Sequence, residues 1–306
     1  MDVLSDIVAT IRLRTTLYCR VAIGTPWGLT FSQTRMPTFH VVDLAPCWLT
    51  LAGEPQPTQL VCGDVVVLCR GSAHTIGDVP GSRSLATIAL DEDVPESCQV
   101  RDFRGAGEVT NLLCGFFDPG AACCYPLFDL LPPLIHLRGE ATRPGSTLGL
   151  TLQLLGAEAE PGQLGRDAVV QHLTDVLLVQ VIRAWAAQQP HGHGRWLGAL
   201  SNPQVGAALA AIHERPADPW TVARLARYVA LSRSAFAARF TAMVGMPPLR
   251  YLTAWRIARA TALLRQGELS LAAVAARCGY ESAVGFSRAF KRETGVAPSH
   301  VRMIHA

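Results

Sequence analysis

The chain has 306 residues, 49% of them hydrophobic, and 27 Lys+Arg against 24 Asp+Glu, which is enough length and apolar content for two separate cores. Charge is divided unevenly: from Gly198 onward there are 14 basic against 5 acidic residues, a net +9, whereas the first 197 residues carry 13 against 19, a net −6. That segregation builds one half for phosphate and not the other, and it excludes genome composition as the whole explanation of an arginine-rich chain whose only lysine is Lys291.

In chain order, the opening "MDVLSDIVAT" is acidic and lacks the long apolar core of a signal peptide, and no stretch is long enough to span a membrane, so a cytoplasmic protein is expected. Up to about residue 117 the pattern alternates, with Gly and Pro punctuation. "PWGLTF", "TFHVVDLAPCWLTLAG", "TQLVCGDVVVLCRGSAHTI", "SLATIAL" and "VTNLLCGFF" read as short strands separated by turns, the signature of a β-barrel or jelly roll. The stretch from Cys62 to Ile76 resembles the cupin motif, in which a turn, a strand and a second turn precede a histidine. With "APCWLTLAG", "LLCGFF" and "LLPPLIHLRG" it is similar to the cupin sensor domain of one subgroup of bacterial regulators. Metal-dependent cupins fill that motif with two histidines and a glutamate. Here His74 stands alone, with His40 distant in sequence, so the expectation is no metal and no cofactor.

Eight of the nine cysteines fall in this half, at 19, 47, 62, 69, 98, 114, 123 and 124. No Cys-x-x-Cys pair offers a zinc knuckle, and in a reducing cytosol the thiols are either packing or reactive. Cys47, Cys62, Cys69 and Cys114 read as small hydrophobes inside strands, with redox sensing as the competing use. Cys19, near a first strand, and Cys114, in a strand returning to the same sheet, are the candidate redox pair.

"TLGLTLQLLGAEAE" and "GRDAVVQHLTDVLLVQVIRAWAAQQ" read as two helices. The second places Val170, Leu173, Leu177, Val181 and Ala184 on one stripe, to pack on its own barrel or on a second subunit. "QQPHGHGRWLG" reads as linker, with His191 and His193 solvated.

The last hundred residues contain an internal repeat. "LSRSAFAARFTAMVG" and "YESAVGFSRAFKRETG" superpose so that Ser232, Phe236, Phe240, Gly245 and Pro248 fall fifty positions before Ser282, Phe286, Phe290, Gly295 and Pro298. Each copy pairs a serine cap, two phenylalanines at i,i+4 and a glycine stop. Upstream of each lies a short apolar helix with a small crossing residue, Ala226 or Ala275, followed by a turn residue, Ala230 or Gly279. Two helix-turn-helix units result, joined by the amphipathic helix "PPLRYLTAWRIARATALLRQG".

These residues, and "AARCGYESAVGFSRAFKRETGVAPSHVR" above all, resemble the DNA-binding domain of the AraC/XylS family of bacterial transcription regulators. The resemblance covers roughly Val205 to Arg302 and implies two recognition helices in successive major grooves. Opposite the phenylalanines, the first helix offers Ser234, Ala237, Ala238 and Thr241, flanked by Arg233 and Arg239: a surface for thymine methyls and backbone. The second offers Val284, Ser287, Arg288 and Lys291. Arg288 can fork onto guanine, and Lys291 with Arg292 can hold phosphate. With the caps Ser232 and Ser282 these are the expected DNA-binding residues.

The sequence thus predicts an α+β chain of two domains: a cupin-like β-barrel with helices over 1–190, a linker over 191–204, and an all-α double helix-turn-helix domain over 205–303. It reads as a transcription activator that contacts double-stranded DNA and RNA polymerase and forms a homodimer. Its sensor half would answer a small molecule or an oxidant. No nucleophile elbow or phosphate loop marks it as an enzyme; the alternative is a cupin metalloenzyme tethered to DNA.

Overall fold

The computed structural model describes residues 2–11, 14–54, 56–89, 99–103, 107–118, 126–158, 163–189 and 195–303. From the N-terminus, α1 (Val3–Ile11) leads into β1 (Arg14–Gly24), β2 (Gly28–Phe31), β3 (Thr38–Leu44), β4 (Cys47–Leu51), β5 (Thr58–Leu60), β6 (Val65–Leu68), β7 (His74–Gly77), β8 (Ala86–Ile88), β9 (Gln99–Phe103) and β10 (Val109–Asp118). A short α2 (Leu127–Leu130), β11 (Leu134–Leu137), α3 (Thr147–Glu158) and α4 (Arg166–Gln188) follow. The helical series is α5 (Arg195–Ser201), α6 (Pro203–Glu214), α7 (Val222–Tyr228), α8 (Arg233–Val244), α9 (Pro248–Gln266), α10 (Leu271–Arg277), α11 (Ala283–Thr294) and α12 (Pro298–Met303).

Two units result. The sheet unit is Arg14–Asp118 with Pro132–Gln188; the helical unit is Met1–Leu13, Pro119–Leu131 and Gln189–Ala306. In the sheet unit, a six-stranded sheet of order β11-β6-β3-β10-β1-β9 faces a five-stranded sheet of order β5-β4-β7-β2-β8. The expected barrel therefore takes the form of two sheets sharing one core. Val21, Ile23, Val42, Val66 and Leu112 from the first pack with Leu29, Phe31, Leu49 and Ile76 from the second and with Trp27 just before β2. β6 reads VVVL with all four residues buried, the pattern of a strand covered on both faces. Helix α4 buries Val170, Leu177 and Val181 and packs on β1, β11 and α3 of its own unit.

The helical unit is built around α9, which buries ten residues, Tyr251, Trp255, Ile257 and Leu264 among them. Its Pro248 opens the helix and Gly267, at φ +75°, closes it. Helix α1 belongs to this unit: Val3, Leu4, Ile7 and Ile11 are buried and α1 packs on α6 and α9. No helix among the described residues is long and apolar enough to cross a membrane.

Candidate functional site

The two recognition helices are set by local chemistry that the chain uses twice. Ser232 Oγ accepts the Ala235 amide at 3.2 Å and Ser282 Oγ accepts the Gly285 amide at 3.1 Å, satisfying an orphan donor at each helix start. Gly245 at φ +87° and Gly295 at φ +79° end α8 and α11 in the left-handed region. Phe236 and Phe240 lie 5.6 Å apart at 58°, Phe286 and Phe290 5.6 Å apart at 61°, and all four are buried. Each helix is thereby anchored on one face and leaves the opposite face outward.

The outward faces carry the residues that the sequence nominates. On α8, Arg233, Ser234, Ala238 and Arg239 are exposed, with Ser232 exposed at its cap, and Thr241 is half-buried. On α11, Val284, Arg288, Lys291 and Arg292 are exposed, with Ser282 at the cap and Ser287 half-buried. Their engagement differs. Arg239 is drawn to Gln204 of α6, Arg292 pairs with Glu293 at 2.9 Å, and the Ser287 hydroxyl donates to the Ala283 carbonyl at 2.8 Å. Both cap hydroxyls are committed to their own helices. Arg288 and Lys291 have no ion-pair partner among the described residues and line one shallow groove with Val284 and Pro298.

Sequence reasoning missed how the second turn is held. Arg256 of α9 donates to the Pro216 carbonyl at 2.7 Å and the Asp218 carbonyl at 2.8 Å, while its guanidinium lies 5.8 Å from the Tyr280 ring centroid. It also missed α1, whose apolar residues do recur at helical spacing. Asp6 of α1 lies 2.8 Å from Nδ1 of the fully buried His213, and Nε2 of that ring lies 2.8 Å from the Tyr251 hydroxyl. Burial lowers the His213 pKa against the opposing pull of Asp6, so the neutral ring donates from Nδ1 to the carboxylate and accepts from Tyr251.

The sheet unit holds a second site. In the ladder between β1 and β10, Cys19 stands directly opposite Cys114, immediately after a one-residue bulge, and on the other side of β10 Cys114 stands opposite His40 of β3. Directly opposed residues of an antiparallel pair hold their Cα atoms about 4.5–5.5 Å apart, inside the range a disulfide accepts. Cys114 Sγ lies 3.0 Å from His40 Nδ1, His40 Nε2 lies 2.8 Å from His74 Nε2, and His74 Nδ1 lies 2.7 Å from the Ser72 carbonyl. His74, alone in its sequence motif, is thus paired in space with His40.

Proton positions follow from the far end of this chain. A carbonyl only accepts, so His74 carries its proton on Nδ1. Burial drives the His74 pKa down to about 4, and burial together with the neighbouring His74 drives His40 well below the usual histidine range. Both rings are therefore neutral near pH 7. His74 Nε2 accepts from His40 Nε2–H, which leaves His40 Nδ1 as the acceptor for the Cys114 S–H. Phe31, its ring centroid 4.6 Å from that of His74 and nearly parallel to it, closes the apolar wall.

The three side chains form one hydrogen-bonded series, from Cys114 through His40 to His74. Cys114 and His74 meet His40 on different ring nitrogens, so one cation cannot take sulfur and both imidazoles together. No group of three or more His, Cys, Asp or Glu suited to a metal occurs among the described residues. Elsewhere, burial lifts the Cys47 and Cys69 thiols to about 12, and Cys278 of the helical unit to about 11, so they pack as unreactive hydrophobes. Cys62 is exposed, in the turn before β6 and not inside a strand. Cys98, Cys123, Cys124, His191 and His193 lie outside the described residues.

The cupin family profile matches residues 2–187 and a helix-turn-helix domain profile matches 225–303. A putative AraC-like transcription regulator of Streptomyces lividans is 34% identical over 305 residues, 99% of this chain and 98% of that protein. The transcriptional regulator AlkR of Acinetobacter baylyi is 29% identical over 307 residues, 99% of each chain. The RCS-specific transcriptional activator RclR of Escherichia coli is 30% identical over 271 residues, 89% of this chain and 80% of that one.

Proposed function

The chain belongs to the AraC-like DNA-binding transcription regulators with an N-terminal cupin domain, and from that premise we propose that it activates transcription when an oxidant links Cys19 to Cys114. One observation carries the reading: Cys114 faces Cys19 across a single rung of the β1–β10 ladder, with its sulfur 3.0 Å from His40 Nδ1. The name of the Escherichia coli relative, an RCS-specific activator, supports the sign of regulation.

The chemistry takes two steps. A two-electron oxidant, hypochlorous acid or a peroxide, transfers oxygen to the Cys19 sulfur and is itself reduced, leaving a sulfenic acid. The buried Cys114 sulfur then attacks that sulfur. Its proton passes to His40 Nδ1, the S–S bond forms, the S–O bond breaks, and the departing hydroxide takes up the proton as water. His74 holds His40 in the tautomer that can accept.

At the DNA end, Arg288 reads a guanine while Lys291, Arg292, Arg233 and Arg239 engage phosphate. Exposed Leu150 and Leu154 on α3, with Val169 and Val176 on α4, give the sheet unit a face for a second copy, and polymerase is the partner at the promoter. The test is to treat the protein with dilute oxidant, map disulfides by mass spectrometry, and follow a promoter reporter. A Cys19–Cys114 bridge is expected. Cys19→Ser and Cys114→Ser should lose the response, and His40→Gln should slow bridge closure about 10²-fold. A parent-like response in both serine variants, with no bridge, ends the oxidant reading.

A further inference from the structure

The space between the two sheets of the sheet unit is occupied by side chains: Trp27, Phe31, Ile76 and Phe116 are buried there, and His40, His74 and Cys114 fill the centre. A cavity of about 670 Å³ lies instead on the opposite face of the six-stranded sheet, beneath α3. That volume is within the range of small-molecule sites. Val41 and Leu113 form its apolar floor beside Arg20 and Asn111, Leu152 and Gln153 hang from α3, and Arg143 stands at the mouth.

Two further features give this cavity the character of a binding site. Helix α3 contains two glycines, each weakening it. Gly149 has a steric reason, since a Cβ there would meet the Thr142 carbonyl oxygen at 2.5 Å. Gly156 has none: a Cβ there meets nothing within 4 Å, and the residue lines the cavity. The absent side chain is space kept open. The lining also favours an anion. Asp43 is the one carboxylate in the lining and already accepts the Leu44 amide at 3.0 Å, while the exposed Arg143 side chain at the mouth has no partner among the described residues.

We infer that this cavity binds an organic anion, a carboxylate with an apolar body, its head at Arg143 and the amides of Asn111 and Gln153 and its body on Val41, Leu113 and Leu152. The site is separate from the thiol pair but mechanically adjacent to it. Arg20 and Leu113 of the floor form the rung of the β1–β10 ladder next to Cys19 and Cys114. An occupant on this floor touches the strands that carry the oxidant site, so one pair of strands receives two inputs.

The experiment uses the full chain carrying Cys19→Ser, so that no bridge contributes, and titrates it with 8-anilinonaphthalene-1-sulfonate followed by fluorescence. Saturable binding of one probe per chain is expected. The uncharged analogue N-phenyl-1-naphthylamine should bind at least tenfold more weakly. Gly156→Leu, which fills the cavity, should weaken the sulfonate at least tenfold, and Arg143→Glu, at an exposed position harmless to folding, at least fivefold. Circular dichroism confirms that each variant is folded; if Gly156→Leu is not, Arg143→Glu decides alone. Equal affinity for the neutral analogue, or parent-like binding by Arg143→Glu, overturns the assignment. Neither result bears on the oxidant reading, which the disulfide map tests independently.

Discussion

The two helix-turn-helix units share a skeleton and differ in almost everything attached to it. The cap hydrogen bonds are 3.2 and 3.1 Å, the phenylalanine pairs lie 5.6 Å apart at 58° and 61°, and both glycine stops are left-handed, although Ser232 at φ −66° and Ser282 at φ −142° enter their helices differently. The turns diverge. Ala230 in the first adopts φ +55°, an αL conformation costing a residue with a Cβ about 1 kcal/mol, whereas Gly279 in the second, at φ +77°, is also wedged against the Ala217 backbone and Arg256. The outward faces diverge as well: the first keeps small residues and an arginine tied to Gln204, the second presents Arg288 and Lys291. A duplicated scaffold thus serves two tasks, because the buried side of a recognition helix is fixed by packing and the outward side is free to change.

The turns should separate the units most. In Gly279→Ala a Cβ meets the Ala217 Cα and carbonyl oxygen at 2.8 Å, and urea unfolding of the full chain should show a loss of about 2–4 kcal/mol. Ala230→Gly should go the other way, or stay level, by less than about 1 kcal/mol. Loss of similar size at both positions would show that the two turns are equivalent after all.

Base reading comes next. On operators mapped across the source genome, Arg288→Ala should cost about 1–3 kcal/mol at one base pair and flatten discrimination there. Ala238→Gly, at the corresponding outward face of α8, should leave base preference unchanged. Uniform weakening over every operator variant would make Arg288 a phosphate anchor and erase the division of labour.

The smallest difference concerns phosphate. With about six cations engaged, log affinity should fall with log salt at a slope of about −5, and Lys291→Ala should reduce its magnitude by about 1. Arg239→Ala should change it less, because Gln204 already holds that guanidinium. A salt-independent complex would contradict the charge division altogether.

How much was legible in the sequence follows from how local each feature is. Serine cap, phenylalanine pair and glycine stop lie within fifteen residues, so the repeat announced both recognition helices and their outward faces. β2 to β8 and β10 were legible as segments, β1 only as a first strand near Cys19, and β9 and β11 were not read as strands, β9 carrying no clear alternation. Their partners were not. α1 could have been found from its spacing of Val3, Leu4, Ile7 and Ile11, but nothing in that spacing says that Asp6 meets His213, 207 residues away.

By itself, then, the sequence determined the two-domain plan, the doubled DNA reader and the charge that suits it to phosphate, since caps, periodicity and net charge are properties of neighbouring residues. Tertiary structure alone decided that a solitary His74 meets His40, that His40 points a lone pair at Cys114, and that Cys19 and Cys114 share a rung. Strand register sets all three, and register is chosen by how two sheets bury their faces against each other, a choice no single segment contains.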